Sequence, residues 1–314
     1  MMYSKYQNIF HSTKLISLEN ELDEMIKLYE KNSFPKSFLL SGKKGIGKFT
    51  LVFHFLNYVY SKEENTKYDF KENLINTKSN FYNSILNQTC LDVIFLQAEE
   101  GKNIKIDDVR DLKEIISRSS LTNNPRFIII DEVEFLNINS ANALLKTLEE
   151  PSQNNFFILI NNQQANLLET ISSRCLKSNI FLNFDQRKKI TDHLITTNEV
   201  KLVINDSPEL SPGLLLTYND LATKLKIDLK DPINLKLFKL LHAFKKDKNK
   251  HSISMAIFLI DQFFYYLVKE RMNKIEFLLN IKIDIIKKIN DFIFYNININ
   301  SVLNSIELEL KHAK

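Results

Sequence analysis

Cysteine occurs only twice in these 314 residues, at Cys90 and Cys175, which excludes a four-cysteine zinc site and gives no basis for a disulfide framework. Both read as small buried residues or bystanders rather than reactive thiols. A long apolar run is missing as well: the best stretch, Met255 to Val268, is short and broken by Asp261 and Gln262, which speaks against a membrane span. The first residues, Met1 to Gln7, have no basic start, apolar stretch or small-residue cleavage site of a signal peptide. The expectation is a cytoplasmic chain. Charge of one sign is also scarce, the formal net value being +4. The clusters Arg187-Lys188-Lys189 and Lys245-Lys246-Asp247-Lys248 read as solvated faces rather than a strong DNA-binding surface. Arginine is rare among the 42 basic residues, occurring at 110, 118, 126, 174, 187 and 271. In a chain that prefers lysine so heavily, each arginine raises the question of whether its planar fork is needed.

What is present fits a globular chain of two or three domains, 44% hydrophobic and 25% charged. Short β-branched apolar runs stand at Ser37–Ser41, Asp92–Gln97, Arg126–Ile130, Phe156–Ile160 and Asn179–Asn183. Helical patterns separate them, which predicts a parallel sheet covered on both faces. One helix begins near Lys48, and one over Ile106–Ile116 places Val109, Leu112 and Ile116 on one stripe. Another runs from an Asn139 cap to a stop at Pro151, and a fourth spans Ala165–Ile171. Residues 61–88 are polar and poorly patterned and read as a surface insertion. The strand pattern ends near residue 182. A small helical unit follows to about residue 231, and helices continue from Pro232 to the end with a heavy load of Phe and Tyr. Three parts are therefore expected, 1–182, 183–231 and 232–314.

Four motifs carry chemistry. Gly42-Lys-Lys-Gly45-Ile-Gly47-Lys48 lies between a strand and a helix, the setting in which backbone amides wrap a phosphate and the lysine reaches it. The Ser or Thr that would hold Mg²⁺ is replaced by Phe49; Thr50, one residue on and turned by about 100° around the helix, is no simple substitute. A strand ending in Asp131-Glu132, in this order and separation after the glycine loop, matches the Mg²⁺-holding and water-orienting acids of a P-loop ATPase; a pair that caps a helix is the alternative. Asn161 and Asn162 follow the fourth strand where a γ-phosphate sensor would stand, and they are also ordinary turn formers. Ser173-Arg174-Cys175 ends a helix, where an arginine can reach a neighbouring subunit's phosphate. By spacing alone, a helix-capping or internally paired arginine is the stronger reading.

Together these residues resemble the clamp-loader family of AAA+ proteins. The resemblance rests on Asn32–Lys48, on Asp131–Pro151 with its run Asn-Ala-Leu-Leu-Lys-Thr-Leu-Glu-Glu-Pro, on Thr170–Cys175, and on Ser211-Pro-Gly213. It extends to about residue 220. Phe49, the two cysteines and Gly213 in place of a sensor arginine set the chain apart from gamma/tau-type motor subunits and align it with delta-prime-type subunits. The resemblance implies an α/β AAA+ P-loop domain, a small helical lid and an all-α collar. It implies a degenerate ATP/ADP–Mg site at Gly42, Gly45, Gly47, Lys48, Thr50, Asp131, Glu132, Asn161 and Asn162, with no zinc. Arg174 would act in trans on a neighbour's nucleotide. The implied partners are gamma/tau and delta subunits, the sliding clamp, and primed DNA through the complex, with no membrane. A gamma/tau-like motor and a helicase-loader-type DNA-dependent ATPase are the alternatives.

Overall fold

Four of the apolar runs and the less apolar Leu176–Asn179 pair as five parallel strands: β1 (Ser37–Ser41), β2 (Val93–Gln97), β3 (Arg126–Asp131), β4 (Asn155–Asn161) and β5 (Leu176–Asn179), in the order β2-β3-β4-β1-β5. The computed structural model describes residues 10–97, 103–118, 124–152, 154–200, 202–204 and 206–313. The N-terminal segment Met1–Gln7 lies outside them. Successive side chains of a strand face opposite ways, and here both faces are dry. Phe38, Leu40, Phe95, Phe127, Ile129, Ile158 and Ile160 enter one apolar cluster. Leu39, Leu96, Ile128, Ile130, Phe157 and Leu159 enter the other. This is the two-faced covering that continuous rather than alternating apolar runs require.

Helices α1 (Glu19–Glu30), α2 (Lys48–Ser61) and α3 (Asn80–Leu86) supply residues to the first cluster. Helices α4 (Ile106–Ser117) and α5 (Ile138–Glu149) supply the second, with Val109, Leu112 and Ile116 buried as expected. Three boundaries differ from the sequence reading by two residues or more. The cap of α5 is Asn137, not Asn139: its Oδ1 accepts the Ser140 N–H at 2.8 Å. The helix expected over Ala165–Ile171 is one turn, α6 (Glu169–Ser172). The fifth strand comes earlier than expected, because Asn183 is already the cap of α7 (Phe184–Thr197), accepting from Gln186 N. Residues 61–88 are not merely surface: Tyr68, Ile75, Phe81, Tyr82 and Ile85 are buried in the first cluster. Glu64 accepts the first amides of α3, from Asn80 and Phe81.

The chain divides into two compact units, 1–198 with 208–214, and 199–207 with 215–314. The sheet belongs to the first. Helix α8 (Pro212–Lys224) begins in the first unit and continues in the second, where α9 (Ile233–Asp247), α10 (Lys250–Glu270), α11 (Ile275–Tyr295) and α12 (Ile299–Ala313) follow. Their buried residues recur at helical spacing, as in Leu278, Ile281, Ile285, Ile289 and Phe292 of α11. Helix α10 runs to 21 residues, longer than the apolar stretch picked out in the sequence, and by length and composition it could cross a membrane. Half of its apolar window is buried inside the fold, and Asp261 at its middle pairs with Lys282 of α11 at 2.6 Å.

Candidate functional site

Strands β3, β4 and β1 are neighbours in the sheet, so their C-terminal ends bring three of the motifs together. That end of an open parallel sheet is where ligands bind. The glycine loop leaves β1 with Gly42 N–H donating to Asn161 O at 3.2 Å. Gly45 (φ +80°) and Gly47 (φ +97°) take left-handed backbone that side-chain-bearing residues avoid. The loop then enters α2 at Lys48. The Lys48 ammonium, 3% exposed, donates to Gly42 O and Lys43 O at 2.7 Å each, so the loop arches around a buried positive charge. Burial pulls its pKa down to about 8, against the opposing pull of Asp131 and Glu134. A buried cation held by carbonyls and flanked by helix-start amides suits an incoming phosphate.

Phe49 does not suit Mg²⁺. Its ring is buried against Phe10 and Phe95, at centroid distances of 6.2 and 5.7 Å. The position therefore serves the apolar cluster and offers no oxygen. Thr50 is half-buried on the next helical position.

The acids and amides are mutually bonded. Asp131 Oδ1 accepts the Glu132 N–H at 2.8 Å and Asn162 Nδ2 at 3.1 Å. Glu132, in left-handed backbone at φ 57°, accepts Lys44 Nζ at 2.9 Å. Asn161 donates to Ser41 Oγ at 3.1 Å and accepts the Gln163 N–H. Two participants escaped the sequence reading. Glu134 is buried, and both its oxygens accept the Asn162 N–H at 3.1 Å. Burial raises its pKa, with hydrogen bonds from the backbone N–H groups of Glu134, Asn162 and Gln164 opposing. Gly213, part of the Ser211-Pro-Gly213 segment and the place of a missing arginine, donates its N–H to Gly45 O at 2.8 Å; a Cβ there would lie 2.9 Å from that oxygen. A short Gly–Gly approach thus seats residues 211–213 on the glycine loop, with Ser211 Oγ in the space a Gly45 Cβ would need.

Arg174 stands apart, just after α6. Its Nε donates to Glu149 Oε1 at 2.5 Å, with Nη2 also 2.5 Å from that oxygen. Nη1 donates to Thr170 O at 2.9 Å and Ser173 Oγ at 3.3 Å. It does cap the helix and pair internally, yet its side chain remains 31% exposed and Glu149 45%. A pair this open is worth only about 0–1 kcal/mol. Cys175 donates to Ile171 O, and burial pushes its thiol up to about 11.

A family model and several known proteins match parts of the chain. A family described as "DNA polymerase III, delta subunit" matches residues 18–182, more than half of the chain. The delta' subunit of Bacillus subtilis DNA polymerase III is 28% identical over 222 residues, 69% of this chain and 62% of that protein. The delta' subunit of Pseudomonas aeruginosa is 40% identical over 87 residues, 27% of this chain and 26% of that one. The tau subunit of B. subtilis is 30% identical over 182 residues, 58% of this chain and 30% of its own length. In each case the match spans less than two thirds of the relative.

Proposed function

This chain belongs to the DNA polymerase III, delta subunit family, and we propose that it acts as a delta-prime-type clamp-loader subunit. In this reading it assembles in the cytoplasm with gamma/tau and delta subunits, helps load a sliding clamp on primed DNA, and lends Arg174 to the adjoining subunit's ATP. Residues 1–182 form the P-loop domain, 183–231 the lid and 232–314 the collar that holds the ring together.

One observation carries the proposal: the loop that should hold Mg²⁺ has its metal position filled by a core phenylalanine, while Arg174 sits on the surface in a weak pair. The amides of Gly45 and Gly47, with Lys48, fit a nucleotide's phosphates, while that of Gly42 is held by Asn161 O. Asp131 would remain for a Mg²⁺ ion, which when bound would screen those phosphates, but the loop's own hydroxyl ligand is lacking. Asn162 and Glu132 keep that pocket ordered, and Lys48 supplies its positive charge. Binding with little or no turnover is the consequence. The guanidinium, in contrast, needs nothing from its own loop. Its planar fork can offset charge developing on a γ-phosphate across a subunit boundary.

The intact Asp131-Glu132 pair favours a second reading, a motor subunit that hydrolyses ATP despite Phe49. Reconstitution separates the two. The chain should co-elute with gamma/tau and delta subunits while hydrolysing no ATP alone. Turnover by the pure chain that vanishes in Lys48→Ala would establish the motor instead, and failure to co-elute would sink both.

A further inference from the structure

The partner of Arg174 is itself unusual. Glu149 is the last residue of α5, where an acidic side chain opposes the helix dipole and weakens the helix it ends. Helix stability therefore does not account for its position. What it does is cover one edge of a guanidinium. Of the five N–H donors of arginine, Nε and Nη2 meet Glu149 Oε1, both at 2.5 Å, and Nη1 is turned to Thr170 O and Ser173 Oγ. The Nε–Nη2 edge is one of the forks with which arginine grips two oxygens of a phosphate. The Nη1 side is tied to the backbone. In this arrangement Arg174 cannot fork a phosphate without first leaving Glu149.

We infer that Glu149 is a parking carboxylate: it holds the Arg174 fork shut until phosphate oxygens of an adjoining nucleotide displace it. The inference rests on the reading that Arg174 acts in trans. Exchange of one anionic partner for another keeps the guanidinium's charge neutralised throughout, while its backbone anchor at Thr170 O stays in place. The restraint is shallow because the pair is open to solvent, so it tunes engagement rather than forbidding it. Glu149 is thus a positioning residue acting through Arg174, and it sets how much nucleotide the neighbouring site needs.

The test compares four full-length chains in the reconstituted complex: wild type, Glu149→Gln, Arg174→Ala, and the double variant. Glu149→Gln keeps the shape and removes the charge at an exposed position, and a melting curve close to wild type verifies its fold. The ATP concentration for half-maximal hydrolysis should fall by roughly two- to five-fold, the range an exposed ion pair supports, with the maximal rate retained. In the Arg174→Ala background the same substitution should shift nothing. A lower maximal rate in Glu149→Gln would overturn the inference, since the carboxylate would then align the arginine rather than restrain it. So would an equal shift with and without Arg174, or no shift where Arg174→Ala slows the complex; in that last case the arginine reading survives and parking alone fails. If Arg174→Ala leaves hydrolysis unchanged, the underlying reading falls and takes this one with it.

Discussion

Replacing Phe49 by Thr restores the loop's hydroxyl residue and asks whether the phenylalanine is an idle substitution or part of the core. The ring is 7% exposed and lies within aromatic contact distance of Phe10 and Phe95. Removing a buried phenylalanine typically costs about 3–5 kcal/mol through lost transfer energy and the cavity left behind. Threonine refills part of that space but brings a hydroxyl that must find a partner. A loss of about 3–4 kcal/mol is therefore expected. For a unit of this size that is on the order of 10 °C in melting temperature. Urea or thermal unfolding of the purified variant reads it directly, and Phe49→Leu, which keeps most of the apolar volume, should lose far less. A Phe49→Thr chain that melts within a degree or two of wild type would refute the argument, because the position would then be free to regain its hydroxyl.

Two further outcomes follow from buried contacts. His54 bonds Tyr68 Oη at 2.9 Å and Ser12 O at 3.0 Å, and burial lowers its pKa from 6.5 to about 4. The unfolded chain takes up this proton first, so the stability contribution is whole above pH 6.5 and declines as pH falls toward 4. The total is roughly 3 kcal/mol; His54→Gln should flatten this share of the slope in denaturant midpoints, and an unchanged slope would count against it. At Gly213, alanine ordinarily strengthens a helix by about 1 kcal/mol. Here its Cβ would meet Gly45 O at 2.9 Å, so Gly213→Ala should instead lower the melting point by an amount corresponding to about 1–3 kcal/mol.

The central strands were readable because they are buried on both faces and so carry unbroken apolar runs; β1 has the bounds its sequence implies. β5 was misplaced because it lies at the sheet edge. Its residues Leu176, Lys177 and Asn179 are exposed, while the apolar Ile180-Phe-Leu182 that looks like a strand leads into the cap of α7. The glycine loop, Asp131 and Asn162 were legible as neighbours because strand order carries them to one end of the sheet. Glu134 and the Gly45–Gly213 contact were not, since each depends on segments far apart in sequence meeting at hydrogen-bond distance. One trace of the second existed: only five glycines occur in the chain, so Gly213 called for a backbone reason as well as a missing arginine. The Glu149–Arg174 pair joins residues 25 apart across two helix ends, and no periodicity reveals it.

What Arg174 does in an assembled complex separates an arginine acting in trans from a helix cap. ATP hydrolysis by the complex, stimulated by clamp and primed DNA, should be measured with wild-type, Arg174→Ala and Arg174→Lys chains at equal assembly. Loss of a sole arginine finger costs roughly 10³- to 10⁵-fold at its own site. A complex with several ATP sites should accordingly lose the adjoining site's share, with assembly and melting temperature unchanged. Lysine should rescue poorly, because an ammonium cannot supply the planar fork. A complex that assembles with Arg174→Ala and hydrolyses ATP at the wild-type rate, or a variant chain that unfolds and stays out of the complex, would contradict the account and leave Arg174 as a helix cap paired with Glu149.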